Sequence, residues 1–255
     1  MPFTVSHAAF ALVLTRTRFP FAAVVLGAMV PDFVIFIPPE EFYDVTHSPL
    51  GLVLVDLPLA VALTIGWWGI GRPSLALLAP MVVQRRMPAD WFRPALPVRS
   101  LAAWVWLVAA ALVGIVSHVV WDSFTHEGGW MVDRLPFLQG EIAGVRVYSL
   151  AQHSSTILGL VVLVVAVVVS FRRAPMSDPP VSAPRRLRAI FWVGAALILG
   201  VAAVVGIVAG VLAREPATDV VVGAVILVGR CALLLCVAAV VTVAGWLMSR
   251  QPARG

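Results

Sequence analysis

The stretch Leu101-Ala-Ala-Trp-Val-Trp-Leu-Val-Ala-Ala-Ala-Leu-Val-Gly-Ile-Val-Ser-His118-Val-Val-Trp-Asp122-Ser-Phe-Thr-His126 decides how this chain is read. Its first part is an apolar run of the roughly 20 residues that a helix needs to cross a bilayer. Its end carries an imidazole, a carboxylate and a second imidazole, spaced four residues apart. On a helix such positions lie along one face, so the three groups point the same way at the end of a spanning segment. Ionisable groups at that depth are costly, and their presence points to function.

The rest of the chain supplies the same solvent. Of 255 residues 61% are hydrophobic and only 12% charged, with a mean hydropathy of +0.98. Soluble domains carry about 25% charged residues, so this chain cannot cover a water-facing surface. Apolar runs of spanning length or close to it occur at Leu52–Ile70, Leu101–Trp121, Ile157–Phe171, Ala189–Leu212 and Val220–Met248, the third being short. The expected fold is all-α: a polytopic integral membrane protein with about five full transmembrane helices and a short N-terminal helical hairpin. In that hairpin Ser6 caps a helix running to about Thr15, and Phe21–Val30 forms a second helix stopped by Pro31. The hairpin returns His7 and Asp32 to one face, which a single span from Phe19 to Ile37 would not do.

All 18 basic residues are arginine and the formal net charge is +5. The arginines gather in short segments between apolar runs: Arg72, Arg85, Arg86, Arg93 and Arg99, then Arg172, Arg173, Arg185, Arg186 and Arg188, then Arg250 and Arg254. That is the positive-inside pattern and not a nucleic-acid footprint, so nucleic acid is excluded as a partner and the bilayer takes its place. The segments between them are acidic or balanced, including Glu40, Glu41 and Asp44, and the 122–155 loop. This alternation places that loop on the outer face of the membrane. Three regions follow: a membrane domain over 1–171, an Arg/Pro-rich cytoplasmic linker over 172–188, and a two-helix transmembrane unit over 189–255. Cys231 and Cys236 lie within one apolar run at a spacing that does not favour a bridge.

The five histidines all fall within the first 153 residues. His7, Asp32, His47, His118, Asp122, His126 and His153 all map to the expected outer face. Two or three histidines with two aspartates suit zinc, with manganese or iron as alternatives, and a bridging carboxylate allows two metals. A bound divalent metal lowers the pKa of a water enough to give hydroxide near neutral pH, which is the chemistry of hydrolysis. Serine hydrolysis is disfavoured because no Gly-x-Ser-x-Gly elbow occurs.

The segments Met1-Pro-Phe-Thr-Val-Ser-His7, Gly27-Ala-Met-Val-Pro-Asp32, Thr46-His-Ser-Pro-Leu-Gly51, Asp56-Leu-Pro-Leu59, His118-Val-Val-Trp-Asp-Ser-Phe-Thr-His-Glu127 and Gln152-His153 resemble a bacterial membrane-protein family, domain of unknown function 4184. The resemblance covers roughly residues 1–170. The same order is similar to that of a wider group of membrane-bound metal-dependent hydrolases, and to the ligand order of zinc-dependent phospholipase C and the P1-type nucleases. By that resemblance Asp32, His47, His118 and Asp122 hold one metal, Asp122 bridges to a second held by His7, and His126 and His153 begin a third site. The resemblance departs at Met1, where those enzymes have a processed N-terminal tryptophan, and at Ile157, where they place a carboxylate.

The resulting expectation is a membrane-embedded metal-dependent hydrolase of a phosphoester, with a lipid or lipid-linked phosphate as substrate. His126 and Glu127 are the candidate proton-transfer residues, and Arg134 and Arg146 the candidate phosphate contacts. Two rivals stand beside it. A metal or proton translocator would line a path with ionisable groups, yet only Asp56 and Arg230 lie deep in the apolar runs. A structural or partner-binding component would hold no stoichiometric metal.

Overall fold

The computed structural model describes residues 4–36, 42–96 and 98–248. Glu40 and Glu41, the junction at Ile37, and the tail arginines Arg250 and Arg254 lie outside the described residues.

The chain is almost wholly helical, and five helices are long and apolar enough to cross a membrane: Pro49–Leu78, Leu101–Thr125, Val147–Arg173, Arg185–Leu212 and Asp219–Leu247. We call these the first to fifth spans. The third begins ten residues before the expected Ile157. Its polar start stays helical because Ser154, Ser155 and Thr156 donate their hydroxyls to the carbonyls of Ala151, Gln152 and Gln152, one turn back. Such back-bonding hides a hydroxyl that would otherwise end an apolar helix early.

Short helices over Thr4–Leu14 and Phe21–Phe36 form the expected N-terminal hairpin, with details that differ. Ser6 sits inside the first helical turn, Thr4–His7, and does not cap it; the chain then tightens to a 3₁₀ helix over Ala8–Leu14. The second helix ends at Gly27, and Pro31 helps open a new turn, Val30–Asp32, that continues into Phe33–Phe36. Proline lacks an N–H that the first turn of a helix does not use, so it starts an element here where a stop was expected. Ser48 caps the first span as its sequence suggests: its hydroxyl accepts the Gly51 N–H at 3.0 Å, and Pro49 follows.

The described residues divide into two compact units, residues 1–65 with 97–173, and residues 66–96 with 174–255. In the first unit, Val30, Ala60, Ala111 and Ile115 form a buried core, with Phe33, Leu52, Leu57 and Val61 packed around it. The Phe21–Gly27 helix crosses the second span at a pair of glycines. A Cβ on Gly27 would overlap the Ala111 carbonyl oxygen, and one on Gly114 would overlap that of Val24. The absence of side chains lets the two backbones touch, as small residues do between membrane helices.

Between the second and third spans lie two short helices, Trp130–Arg134 and Pro136–Gln139, and a hairpin pairing Glu141–Ile142 with Val145–Arg146. Ala143 and Gly144 both have positive φ, 51° and 78°, the geometry of a type I′ hairpin turn.

In the second unit the core joins Leu77, Leu78 and Phe92 with Ala239 and Val243 of the fifth span. Gln84 donates to the free carbonyls of Ala76 and Leu77 at 3.0 and 2.9 Å, closing the end of the first span. Residues 174–184, expected within a linker, are hydrogen-bonded to the preceding loop. The Ser177 N–H reaches the Arg85 carbonyl at 2.8 Å and the Ala183 N–H the Leu77 carbonyl at 3.2 Å.

Candidate metal centre

Four of the seven residues singled out in the sequence converge. One ligand atom from each of Asp32, His47, His118 and Asp122 lies within 4.8 Å of every other. His118 and Asp122 come from successive turns of the second span, Asp32 from the turn after the N-terminal hairpin, and His47 from the turn before the first span. His118 is fully buried, and Asp32 and Asp122 nearly so.

Neighbouring groups aim the lone pairs. The His118 Nδ1–H donates to the Ala28 carbonyl at 2.8 Å, and the His47 Nδ1–H to the Tyr43 carbonyl at 3.0 Å. A carbonyl only accepts, so each ring carries a proton on Nδ1 and turns its Nε2 toward the cluster. The Thr4 hydroxyl donates to Asp32 Oδ2 at 2.9 Å, leaving Oδ1 to face the histidines. Ring stacking holds the planes: Tyr43 on His47 with centroids 3.9 Å apart, and His7 on His118 at 4.0 Å.

The inward atoms are close but not hydrogen-bonded. His118 Nε2 lies 3.3 Å from Asp122 Oδ2 and 3.5 Å from Asp32 Oδ1. His47 Nε2 lies 3.8 and 3.9 Å from the same two oxygens. All four atoms are buried without a hydrogen-bond partner among the described residues. Buried polar groups are normally satisfied, so four orphans facing one point mark a place where something else is held. Two ligand atoms bound tetrahedrally at the usual zinc distances lie about 3.3–3.6 Å apart. The shorter contacts match that spacing, and the longer ones leave room for a wider coordination shell.

The other carboxylate oxygen, Asp122 Oδ1, is also unsatisfied and faces His7 Nε2, itself an orphan, at 3.4 Å. Burial pushes the His7 imidazole down to about 4; His118 acts the same way, and Asp122 and Asp32 oppose it. Burial likewise lowers His47, against its backbone hydrogen bond to Tyr43, and His126, against Asp122. All three are therefore neutral near pH 7, the form in which imidazole binds metal. Burial also raises the Tyr43 phenol, with Asp32 and Asp122 adding to the effect.

The remaining expected residues stand further out. The His126 ring nitrogen Nδ1 is 3.7 Å from Asp122 Oδ2 but donates to the Asp122 carbonyl at 3.2 Å, and its Nε2 meets the Gln152 side-chain amide at 3.2 Å. His153 does not join the quartet: it is exposed, and its Nδ1–H donates to the Ser149 carbonyl one turn back at 2.7 Å. Glu127 is exposed. Arg134 donates to the Trp130 carbonyl and stacks 4.1 Å over that indole. Arg146 pairs with Glu141 at 3.4 Å and donates to the Gln139 carbonyl.

Sequence reasoning did not single out Thr4, Tyr43 or Ala28, which orient the ligands. Their signal was spacing: Thr4 is one turn before His7 and Tyr43 one turn before His47. Asp56 enters the sequence reading as a deep acid and as part of the family-like segment Asp56-Leu-Pro-Leu59, without a role in the site. It is fully buried on a π-helical turn, Leu52–Asp56, and neither carboxyl oxygen has a hydrogen-bond partner among the described residues. Such turns recur at functional sites.

The orienting groups have a measurable weight. Thr4→Val removes the hydroxyl that fixes Asp32 and is expected to lower metal affinity about 10–100-fold, as loss of such partners does elsewhere. Competition with a chromogenic chelator reads this directly, and unchanged affinity would mean the Thr4 bond is incidental.

Five helices of bilayer length and a buried quartet of two aspartates and two histidines define a multi-pass membrane protein with a candidate metal centre. More particularly, the chain belongs to the family described as domain of unknown function 4184 (DUF4184), which it matches over residues 1–243. That match runs into the fifth span, well past the roughly 170 residues in which the shared motifs lie. No curated protein and no solved structure matches the chain.

Proposed function

We propose that this protein is a membrane-embedded, metal-dependent hydrolase of a phosphoester, with a lipid or lipid-linked phosphate as substrate. One observation carries the reading: the unsatisfied, buried lone pairs of Asp32, His47, His118 and Asp122 all turn to one point. Mixed nitrogen and oxygen ligands suit zinc, manganese or iron. Such a metal supplies a hydroxide at neutral pH and polarises a phosphoryl oxygen.

The chain's own residues do the rest. Asp122 offers Oδ2 to the quartet and Oδ1 to His7, so Asp122 and His7 would hold a second ion beside the first. His126, half-buried at the rim, is the candidate to hold a proton there once Gln152 releases its Nε2. Exposed Glu127 is the alternative. Arg134 and Arg146 keep further N–H groups for a phosphate on the 130–146 segment. The arginine distribution favours the outer face of a bacterial plasma membrane for the site.

The test is metal analysis of detergent-purified protein by mass spectrometry, with phosphate release from p-nitrophenyl phosphate and from phosphatidic acid. One or more zinc-like ions per chain, and a release that chelation removes and metal restores, is the expected result. Absence of bound metal after reconstitution overturns the reading.

A further inference from the structure

His7 belongs to two places at once. One edge of its ring faces Asp122, and the residue also lines a groove of about 270 Å³ between the N-terminal helix and the second and third spans. Phe10, Leu158 and Val162 form much of the groove wall, and Ser117 and Trp121 its other side. The Trp121 indole N–H donates to Ser155 Oγ at 3.2 Å, tying the two spans together at the level of the cluster.

From that level the groove descends along the spans. Ser117 is one turn from Trp121, and Val162 two turns from Ser155, both away from the 126–146 connection. At 1.5 Å rise per residue the third-span face from Ser155 to Val162 is about 10 Å long. The wall turns apolar with distance from His7, and Leu158 and Val162 are exposed along it. These are residues of bilayer-length helices, so the medium beside them is hydrocarbon. The volume lies just below the range for small-molecule pockets and fits part of one hydrocarbon chain, whose remainder would lie in the bilayer.

We infer that this groove takes one hydrocarbon chain of a phosphate-bearing lipid, entering sideways from the bilayer and bringing the headgroup to the metal centre. The inference rests on the proposed hydrolase for the headgroup end only. A polar end at the ligand cluster and an apolar end at membrane depth match an amphiphile with the phosphate at its top. Soluble phosphoesters would leave the groove unused.

The test is native mass spectrometry of the full chain in non-ionic detergent with added dipalmitoyl phosphatidic acid, alongside metal analysis of the same samples. Val162→Trp fills the deep end, and Leu158→Trp is a second variant should the first fail to fold. Val161→Trp, on the lipid-exposed face outside the groove, is the control. The expected result is a tenfold or greater loss of bound lipid in Val162→Trp or Leu158→Trp, none in Val161→Trp, and unchanged metal throughout. Equal lipid retention in all variants overturns the groove, whatever the metal content. Retention sensitive to Val162→Trp in a protein that holds no metal sinks the hydrolase and leaves the groove standing.

Discussion

Asp122→Ala is expected to strip the protein of metal. The Asp122 side chain lies within 4 Å of four histidines: His118 at 3.3 Å, His7 at 3.4 Å, His126 at 3.7 Å and His47 at 3.8 Å. No other group described touches so much of the cluster. Its loss removes half the carboxylate charge of the quartet and the oxygen that faces His7. Breaking a buried charge contact by deleting one partner costs about 3–5 kcal/mol, which corresponds to a loss of roughly 10²–10³-fold or more in metal affinity. Asp122→Asn, which keeps the shape and drops the charge, is expected to fall nearly as far. Glu127→Ala, at an exposed neighbour, is expected to retain metal fully.

Thermal unfolding separates this outcome from plain damage to the fold. A ligand that binds only the folded state raises its stability. The metal-loaded parent should therefore melt above its chelated form, and Asp122→Ala should show no difference between the two. A variant that still gains stability from added zinc would show that Asp122 is not a ligand.

The second large effect belongs to a residue that touches no metal. Gly114→Val is expected to lose both the centre and much of the stability of the first unit. Even a Cβ there would lie 2.7 Å from the Ala28 nitrogen and 3.0 Å from the Gly27 carbonyl carbon. The Phe21–Gly27 helix must back away, and the Ala28 carbonyl leaves the His118 Nδ1–H that it now accepts at 2.8 Å. With that bond lost His118 can turn, and a second ligand, Asp32, moves with the displaced segment. Overpacking of this kind costs about 1–3 kcal/mol on its own. Gly194→Val is the matched control, since nothing lies within 4 Å of a Cβ at Gly194. Equal melting and equal metal content in the two variants would show that the glycine crossing does not position the site.

The sequence carried the spans and the four ligands for the same reason. In a chain this poor in charge, both a long apolar run and a histidine at its end stand out against the background. The i, i+4 spacing of His118 and Asp122 is local, so a helix alone fixes their relation. The approach of Asp32 and His47 is not local. It depends on a hairpin whose caps and breaks were misread at Ser6 and Pro31, though its return path was legible. His153 had the right residue type and the wrong environment, because the polar start of the third span is helical and turns that ring outward. Ala28 was invisible for a different reason: a carbonyl acquires its role only from what the fold brings within 3 Å.

The site draws on residues widely separated in the chain, and this sets the order in which it can be born. His7, Asp32 and His47 are synthesised before His118 and Asp122. Until the second span docks at its glycines, the early three lack the two side chains that complete the cluster. Capture of the proposed ion would thus be a late step of assembly, and a loaded centre would report that the N-terminal hairpin and the second span have found each other.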